Sequence, residues 1–261
     1  MNDRIITRVG ITGASGHIGT TLTEGLADSY TLTLFYHRRE IRQDLASKFK
    51  SIKVDFSQAR SIKGIFEGLD VVIHLAADRL TDAPWESVLN NNIIATHNVF
   101  EEARRANVSK IVFASTNHTQ HDYVGKTPLT LDRFYVKTMG YIKLDDPPAP
   151  DSFYAISKLF GENLGWYYSR RFGIQFIALR IGSTFPEDDP SIWKGTERED
   201  YVRAIFLSKR DCIEVFKRAL EVKTDYLIAY AISNNDRRYF DLTETRERLG
   251  FNPKDNAEAY F

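Results

Sequence analysis

The sequence predicts an α/β fold, a doubly wound parallel sheet with a small C-terminal substrate cap, on three observations. Short apolar runs rich in β-branched residues alternate with amphipathic stretches through the first half of the chain. Such alternation calls for right-handed strand–helix–strand crossovers and a sheet covered on both faces. The run DVVIHLAA is apolar nearly throughout, as a buried central strand requires. Finally, ITGASGHIGTTL puts a glycine-bearing turn between the first apolar run and a helical stretch.

In chain order, RVGIT, TLTLFY, SIKVDF, DVVIHLAA and KIVFAST are the first five strands. Helices are expected after the glycine turn, after Ser57 and from about Ala83 to Asn107. From Val124 to Ser152 periodicity lapses and DDPPAPD appears, so this segment reads as an insertion running over the surface. SFYAISKLF begins a long helix, IQFIALRIG supplies a sixth strand, and STFPEDDPSIWKGTERED is a polar loop. A helix from Asp211, a strand in DYLIAYAIS and a short helix around Leu242 to Leu249 complete the chain.

Composition bounds the partners. Of 261 residues, 43% are hydrophobic and 27% charged, as in ordinary globular proteins, and the formal net charge is zero. No electrostatic footprint argues for nucleic acid or an anionic membrane. A single cysteine, Cys212, rules out an internal disulfide framework and reads as a packed small residue. The N-terminus lacks a secretory apolar core and no later run would span a bilayer, so a cytoplasmic location is expected.

Within the glycine turn, Gly13 permits the tight bend, Gly16 lets backbone approach a pyrophosphate, and Gly19 lets helix pack on strand. The helix N-terminus then offers free N–H groups to phosphate. The order strand, turn, helix favours nucleotide binding over a plain turn, although the first two glycines stand farther apart than in the common fingerprint. Where the second strand ends, a carboxylate commonly grips the adenosine ribose. This chain has YHRRE there. His37, Arg38 and Arg39 supply no carboxylate, and two guanidiniums suit a phosphate fork, which favours NADP over NAD. The other reading is two solvated arginines, with Glu40 or Tyr36 serving a plain NAD ribose. Asp55 could accept a hydrogen bond from the adenine amino group or simply close a strand. One domain over 1–261 follows, with 1–180 mainly a dinucleotide-binding core and 181–261 mainly the cap.

GASGHIG, HLAA, FAST and YAISK, in that order, resemble the extended short-chain dehydrogenase/reductase superfamily, whose core is Rossmann-like. IVFASTNHT, SKLFGENLGWYY, LRIGSTFPE and NPKDNAEAY resemble its uronate dehydrogenases, while APWESVLNNNI, FLSKRDC and AISNNDRRYF are most similar to archaeal NAD-dependent glucose-6-phosphate dehydrogenases. The resemblance covers nearly the whole chain. YxxxK alone is common by chance; ASTNH with RIGS and SKRDC is far more specific.

The resemblance implies a catalytic set of Thr116, Tyr154, Lys158 and Asn92, with Thr116 where the relatives carry Ser. It implies cofactor contacts at Ser15, His17, Ile18, Phe56, Leu75, Ala76, Ala77 and Ile181 beside those already named. Substrate contacts fall on Asn117, His118, Ser183 and Arg203, with Arg198 an equal candidate to Arg203. No metal is expected. Relatives often dimerise through the helices bearing Asn92 and Tyr154, where Phe160, Leu164 and Tyr168 could form the seam or face the core.

The residues themselves support this chemistry. Tyr154 and Lys158 stand one helical turn apart, so phenol and ammonium share a face. A tyrosine near pKa 10 is a poor base at neutrality, and a nearby lysine cation should lower it. The expected activity is NAD(P)-dependent oxidation of the anomeric carbon of a cyclic sugar to its lactone. Glucose 6-phosphate ranks first, ahead of a hexuronate or an unmodified aldose. The alternatives are a nucleotide-sugar epimerase or dehydratase on the same scaffold, and a non-catalytic dinucleotide-binding regulator.

Overall fold

Seven strands form a single parallel sheet in the order β3-β2-β1-β4-β5-β6-β7. They are β1 Arg8–Thr12, β2 Thr31–Tyr36, β3 Lys50–Lys53, β4 Val71–His74, β5 Lys110–Thr116, β6 Gln175–Ile181 and β7 Tyr226–Ala231. The computed structural model describes residues 6–124 and 140–261, so part of the Val124–Ser152 insertion lies outside the described residues. Side chains along β5 alternate as the pleat demands. Val112 and Ala114 enter one hydrophobic layer, and Ile111 and Phe113 the other.

Helices α1 His17–Leu26 and α7 Lys209–Glu221 cover the first layer. The second lies beneath α4 Ala95–Arg105 and α5 Phe153–Phe172. Short helices α2 Gln43–Ala46, α3 Trp85–Val88 and α6 Glu199–Ile205 complete the α-helices among the described residues. Each longer helix has a local reason to start or stop. Ser152 caps α5 by accepting a hydrogen bond from Ala155 N at 3.1 Å, and Gly173, at φ 70°, ends it. Ser208 caps α7 in the same way through Asp211 N at 3.1 Å, which starts that helix two residues before Asp211. Helix α5 lies close on the sheet because Gly161 has no side chain; a Cβ there would stand 2.3 Å from Phe113.

Some expectations change. Residues after Ser57 form successive turns rather than a helix, because Gly64 and Gly68 adopt φ of 82° and 80°, outside the helical region. SIKVDF is shorter as a strand than expected and ends at Lys53. The stretch from Ala83 to Asn107 is helical but not uniform: between α3 and α4 it runs through a π-helical segment, Leu89–Ile94. The C-terminal part adds its own strand, since β7 pairs with β6 along its length. Of the proposed seam, Tyr168 is 4% exposed and Leu164 packs against the core, so neither faces outward. The exposed large apolar residues of α5 are Phe153, Ile156, Trp166, Tyr167 and Phe172. Among the described residues, no helix is long and apolar enough to cross a membrane.

Candidate active site

The chain reverses its direction of winding between β1 and β4, neighbours that are not consecutive. A crevice opens at such a switch point outside the carboxyl ends of the strands, and ligands of α/β sheets bind there. The predicted cofactor residues sit on its rim. Gly13, Ser15 and Gly16 lie in the turn between β1 and α1, and His17, Ile18 and Gly19 open α1. Leu75, Ala76 and Ala77 follow β4 directly, with the N–H groups of Leu75 and Ala76 held by Thr12 Oγ1 at 3.1 and 3.2 Å. Ile181 ends β6, in register with Thr116 at the end of β5.

The turn fits a dinucleotide. Gly13 has φ 68°, and a Cβ there would meet Ala76 N at 2.9 Å, so the bend excludes any other residue. Gly16 is exposed, its extended backbone begins α1 without a side-chain cap, and α1 has no acidic residue in its first turn. Gly16 N itself donates to Gly13 O at 3.0 Å, so a pyrophosphate would meet the N–H groups of the first turn of α1.

Beyond β2, Arg38 and Arg39 are exposed and neither makes an ion pair among the described residues, while Glu40 is taken by Lys53 at 3.1 Å. His37 stands 3.8 Å from Asp55. Asp55 Oδ1 already accepts from Ser57 N and Oγ at 2.9 and 2.7 Å, leaving Oδ2 turned toward His37. Phe56 places its ring in the core against Phe35, Phe66 and His74, so its side chain is not a cofactor contact. Its carbonyl accepts from Asn98 at 2.9 Å.

The catalytic candidates converge from three elements. Tyr154 lies in the first turn of α5, hydrogen-bonded to the Thr116 side chain at the end of β5. Lys158, one turn on, is 3% exposed, and its ammonium lies 4.9 Å from the Phe113 ring centroid and 5.6 Å from that of Tyr154. Among the described residues it has no ion-pair partner. Asn92, in the π-helical segment, donates to Ser157 Oγ at 3.0 Å and to the Asp78 carbonyl at 2.9 Å, and accepts from Asp78 N at 2.7 Å. Ser157 in turn donates to the Tyr154 carbonyl at 2.6 Å. The amide thus ties the loop after β4 to the catalytic helix.

The expected lysine effect on the phenol does not dominate. Burial pushes Tyr154 up to about 12, against the hydrogen bond to Thr116 and the charge of Arg79, which pull it down. Burial likewise brings Lys158 down to about 7. Desolvation penalises both charged forms at once.

The substrate candidates divide. Asn117 Nδ2 donates to Tyr201 Oη at 3.0 Å, linking β5 to α6. His118 Nδ1 lies 2.6 Å from Asp151 Oδ2, and its ring meets Tyr154 edge-on at 6.3 Å. Ser183 bridges to Phe206 through its backbone, and its side chain is partly exposed. Arg203 is not free: Glu199 takes it at 2.7 Å, Glu258 chelates it, and Phe261 lies beneath it at 4.7 Å. A guanidinium saturated by two carboxylates offers no fork to a substrate anion. Arg198 stacks on Trp193 at 5.1 Å.

Sequence reasoning missed Asp151, His121, Tyr201 and Arg79. His121, three residues after His118, carries a signal that could have been read. Two short 3-10 turns meet at a kink at Gln120 within Asn117–Tyr123, and the rings of His118 and His121 stack at 4.8 Å with 11° between ring planes. His121 Nδ1 also approaches Asp151 Oδ2, at 3.3 Å. With Asp151 these rings gather three metal-ligand-type atoms within 4.8 Å. The 2.6 Å separation of His118 Nδ1 and Asp151 Oδ2 is that of a shared proton. Two ligands on one tetrahedral zinc, each about 2.0–2.1 Å from it, stand farther apart.

A family model described as NAD dependent epimerase/dehydratase family matches residues 9–191. An L-arabinose 1-dehydrogenase (NAD(P)(+)) of Haloferax volcanii is 38% identical over 255 residues, covering 96% of this chain and 97% of its own. An NAD-dependent glucose-6-phosphate dehydrogenase of the same organism is 33% identical over 253 residues, covering 96% and 94%. The crystal structure of uronate dehydrogenase from Agrobacterium tumefaciens superposes with a TM-score of 0.78 at 28% identity, over 98% of this chain and 87% of that one.

Proposed function

The chain belongs to the NAD-dependent epimerase/dehydratase family, and from that premise we propose that it oxidises the anomeric carbon of a cyclic sugar to its lactone with NAD(P)+. The observation that carries the reading is the junction of Tyr154, Thr116 and Lys158 at the carboxyl ends of β4 and β5, beside a glycine turn shaped for a dinucleotide. The relatives' names support the sugar and the cofactor class.

The turn from Gly13 to Gly19 would hold the pyrophosphate, Lys158 the ribose hydroxyls, and Arg38 with Arg39 a 2′-phosphate, which favours NADP. When bound, the dinucleotide supplies the hydride acceptor. Thr116 orients the sugar hydroxyl, and Tyr154, as its phenolate, takes that proton at Oη and becomes the neutral phenol. The Lys158 ammonium, 5.6 Å from the phenol ring, favours the phenolate before the transfer. Asn117 and His118 at the end of β5 would face the remaining hydroxyls.

Exposed Phe153, Ile156, Trp166 and Tyr167, with Trp85 against Phe153 at 5.5 Å, support a homodimer built on this face.

The test is to follow nicotinamide absorbance with glucose, xylose, arabinose, glucuronate, galacturonate and glucose 6-phosphate, using each cofactor. Release of reduced cofactor with at least one sugar is expected. Conversion of a nucleotide sugar without net reduction would replace this reading with epimerisation.

A further inference from the structure

We propose that Asp151 and His121 are positioning residues that hold His118 in one tautomer, Nδ1–H toward Asp151, so that its Nε2 accepts a hydrogen bond from a hydroxyl of an uncharged aldose. The proposal rests on the sugar-oxidising reading above and names the substrate class of the same site.

An ionised carboxylate only accepts, so a ring nitrogen 2.6 Å from Asp151 Oδ2 must carry the proton. Hydrogen bonds from His118 and Ser152 hold the Asp151 carboxyl below its usual range despite burial. Its other oxygen accepts from Ser152 Oγ at 2.8 Å, so the carboxylate is fixed by the residue that caps α5. With Nδ1 committed to Asp151, a neutral His118 has one ring atom left, Nε2, whose lone pair accepts. The side chain is 19% exposed, so this atom is not sealed in the core.

His121 secures the arrangement. It is 2% exposed, stacks on His118, and is edge-packed by Tyr201 at 5.0 Å. Its own Nε2 is buried without a hydrogen-bond partner. Burial and the neighbouring His118 keep it neutral, bringing it down to about 4. Two charged rings 4.8 Å apart would repel, so the stack favours neutral imidazoles.

The charge around this pocket follows. Asp151 puts a carboxylate directly behind His118. Two arginines of the cap are spent, Arg203 on Glu199 and Glu258 and Arg237 on Asp200 and Glu258, while Arg198 is stacked on Trp193. Arg180 is buried against Glu162 at 2.9 Å. Arg79 is exposed, and its charge acts on both His17 and Tyr154. A sugar carboxylate or phosphate at the His118 end would face a lone pair backed by a negative charge, whereas a hydroxyl would donate into it.

The experiment compares kcat/KM for glucose, xylose and arabinose with glucuronate and glucose 6-phosphate, in the wild type and in Asp151→Asn. The uncharged sugars should lead by at least about tenfold, and an anionic sugar that equals or beats them overturns the proposal. In Asp151→Asn the carboxamide can donate as well as accept, so kcat/KM for the best aldose should fall about tenfold or more while the dissociation constant for NAD(P)+ stays put. One monodeoxy analogue of that aldose should be as poor for the wild type as the parent sugar is for the variant, with no further loss in the variant. An unchanged variant, or equal losses on every deoxy analogue, overturns it. If Asp151→Asn fails to bind cofactor, His121→Phe decides: a KM raised about threefold supports the relay, and an unchanged KM sinks it. Should no sugar reduce the cofactor at all, the failure lies in the sugar-oxidising reading itself, and the relay falls with it.

Discussion

Asn92 Nδ2 and Ser157 Oγ are joined at 3.0 Å, a hydrogen bond across 65 residues of sequence that ties the π-helical segment to the first turn of α5. Through Ser157 it reaches the Tyr154 carbonyl, and through its other contacts it pins the loop after β4. Asn92→Ala would leave the Asp78 N–H and carbonyl without these partners, at about 1–3 kcal/mol. It should lower both melting temperature and kcat, as measured by thermal unfolding and steady-state rates; a variant altered in neither would show that this tie is idle.

Tyr154→Phe keeps the ring and removes the phenol hydroxyl bonded to Thr116, the base of the proposed reaction. Turnover should fall by about 10³-fold, within the range ascribed to general base catalysis. Cofactor titration by fluorescence should be unaffected. Retained turnover would rule out the phenol as base.

Gly16→Ala separates folding from binding. A Cβ at Gly16 meets only Gly13 O, at 3.2 Å, so the turn should survive with a small adjustment. If the proposed pyrophosphate site is right, the added methyl intrudes on it, and affinity for the dinucleotide should drop about tenfold, or about 1.4 kcal/mol. Equal affinity in calorimetry would mean the pyrophosphate lies elsewhere.

Arg38→Ala and Arg39→Ala test cofactor choice. Both guanidiniums are exposed at the end of β2 and unpaired among the described residues, so their loss removes attraction for a 2′-phosphate and costs NAD little. The ratio of kcat/KM for NADP+ over NAD+ should fall about tenfold; a ratio that does not move identifies the arginines as solvated surface.

Acid should destabilise the fold through two buried histidines. Buried His74 and His121 are held neutral down to about 3 and about 4, against an ordinary 6.5. Below 6.5 the unfolded chain binds protons that the folded one refuses, so stability is intact above that pH and lost progressively toward 4. Urea midpoints measured at pH 7.5, 6 and 5 (about one unit apart) should decline in that order. A flat series would mean that these imidazoles charge in place.

The sequence by itself determined the seven strands, the glycine turn and the Tyr154–Lys158 pair, because these depend on local periodicity and on spacing within one turn or one helix. TLTLFY and KIVFAST became strands over their full lengths. Its failures were also local. Gly64 and Gly68 broke a stretch that amphipathic spacing marked as helix, since a positive φ overrides the pattern. What only the tertiary structure decided was which polar groups meet. Asp151 reached His118 across 33 residues, and Glu258 reached Arg203 across 55. An ion pair or a buried hydrogen bond depends on where folding brings two segments together, and no periodicity along the chain records that distance.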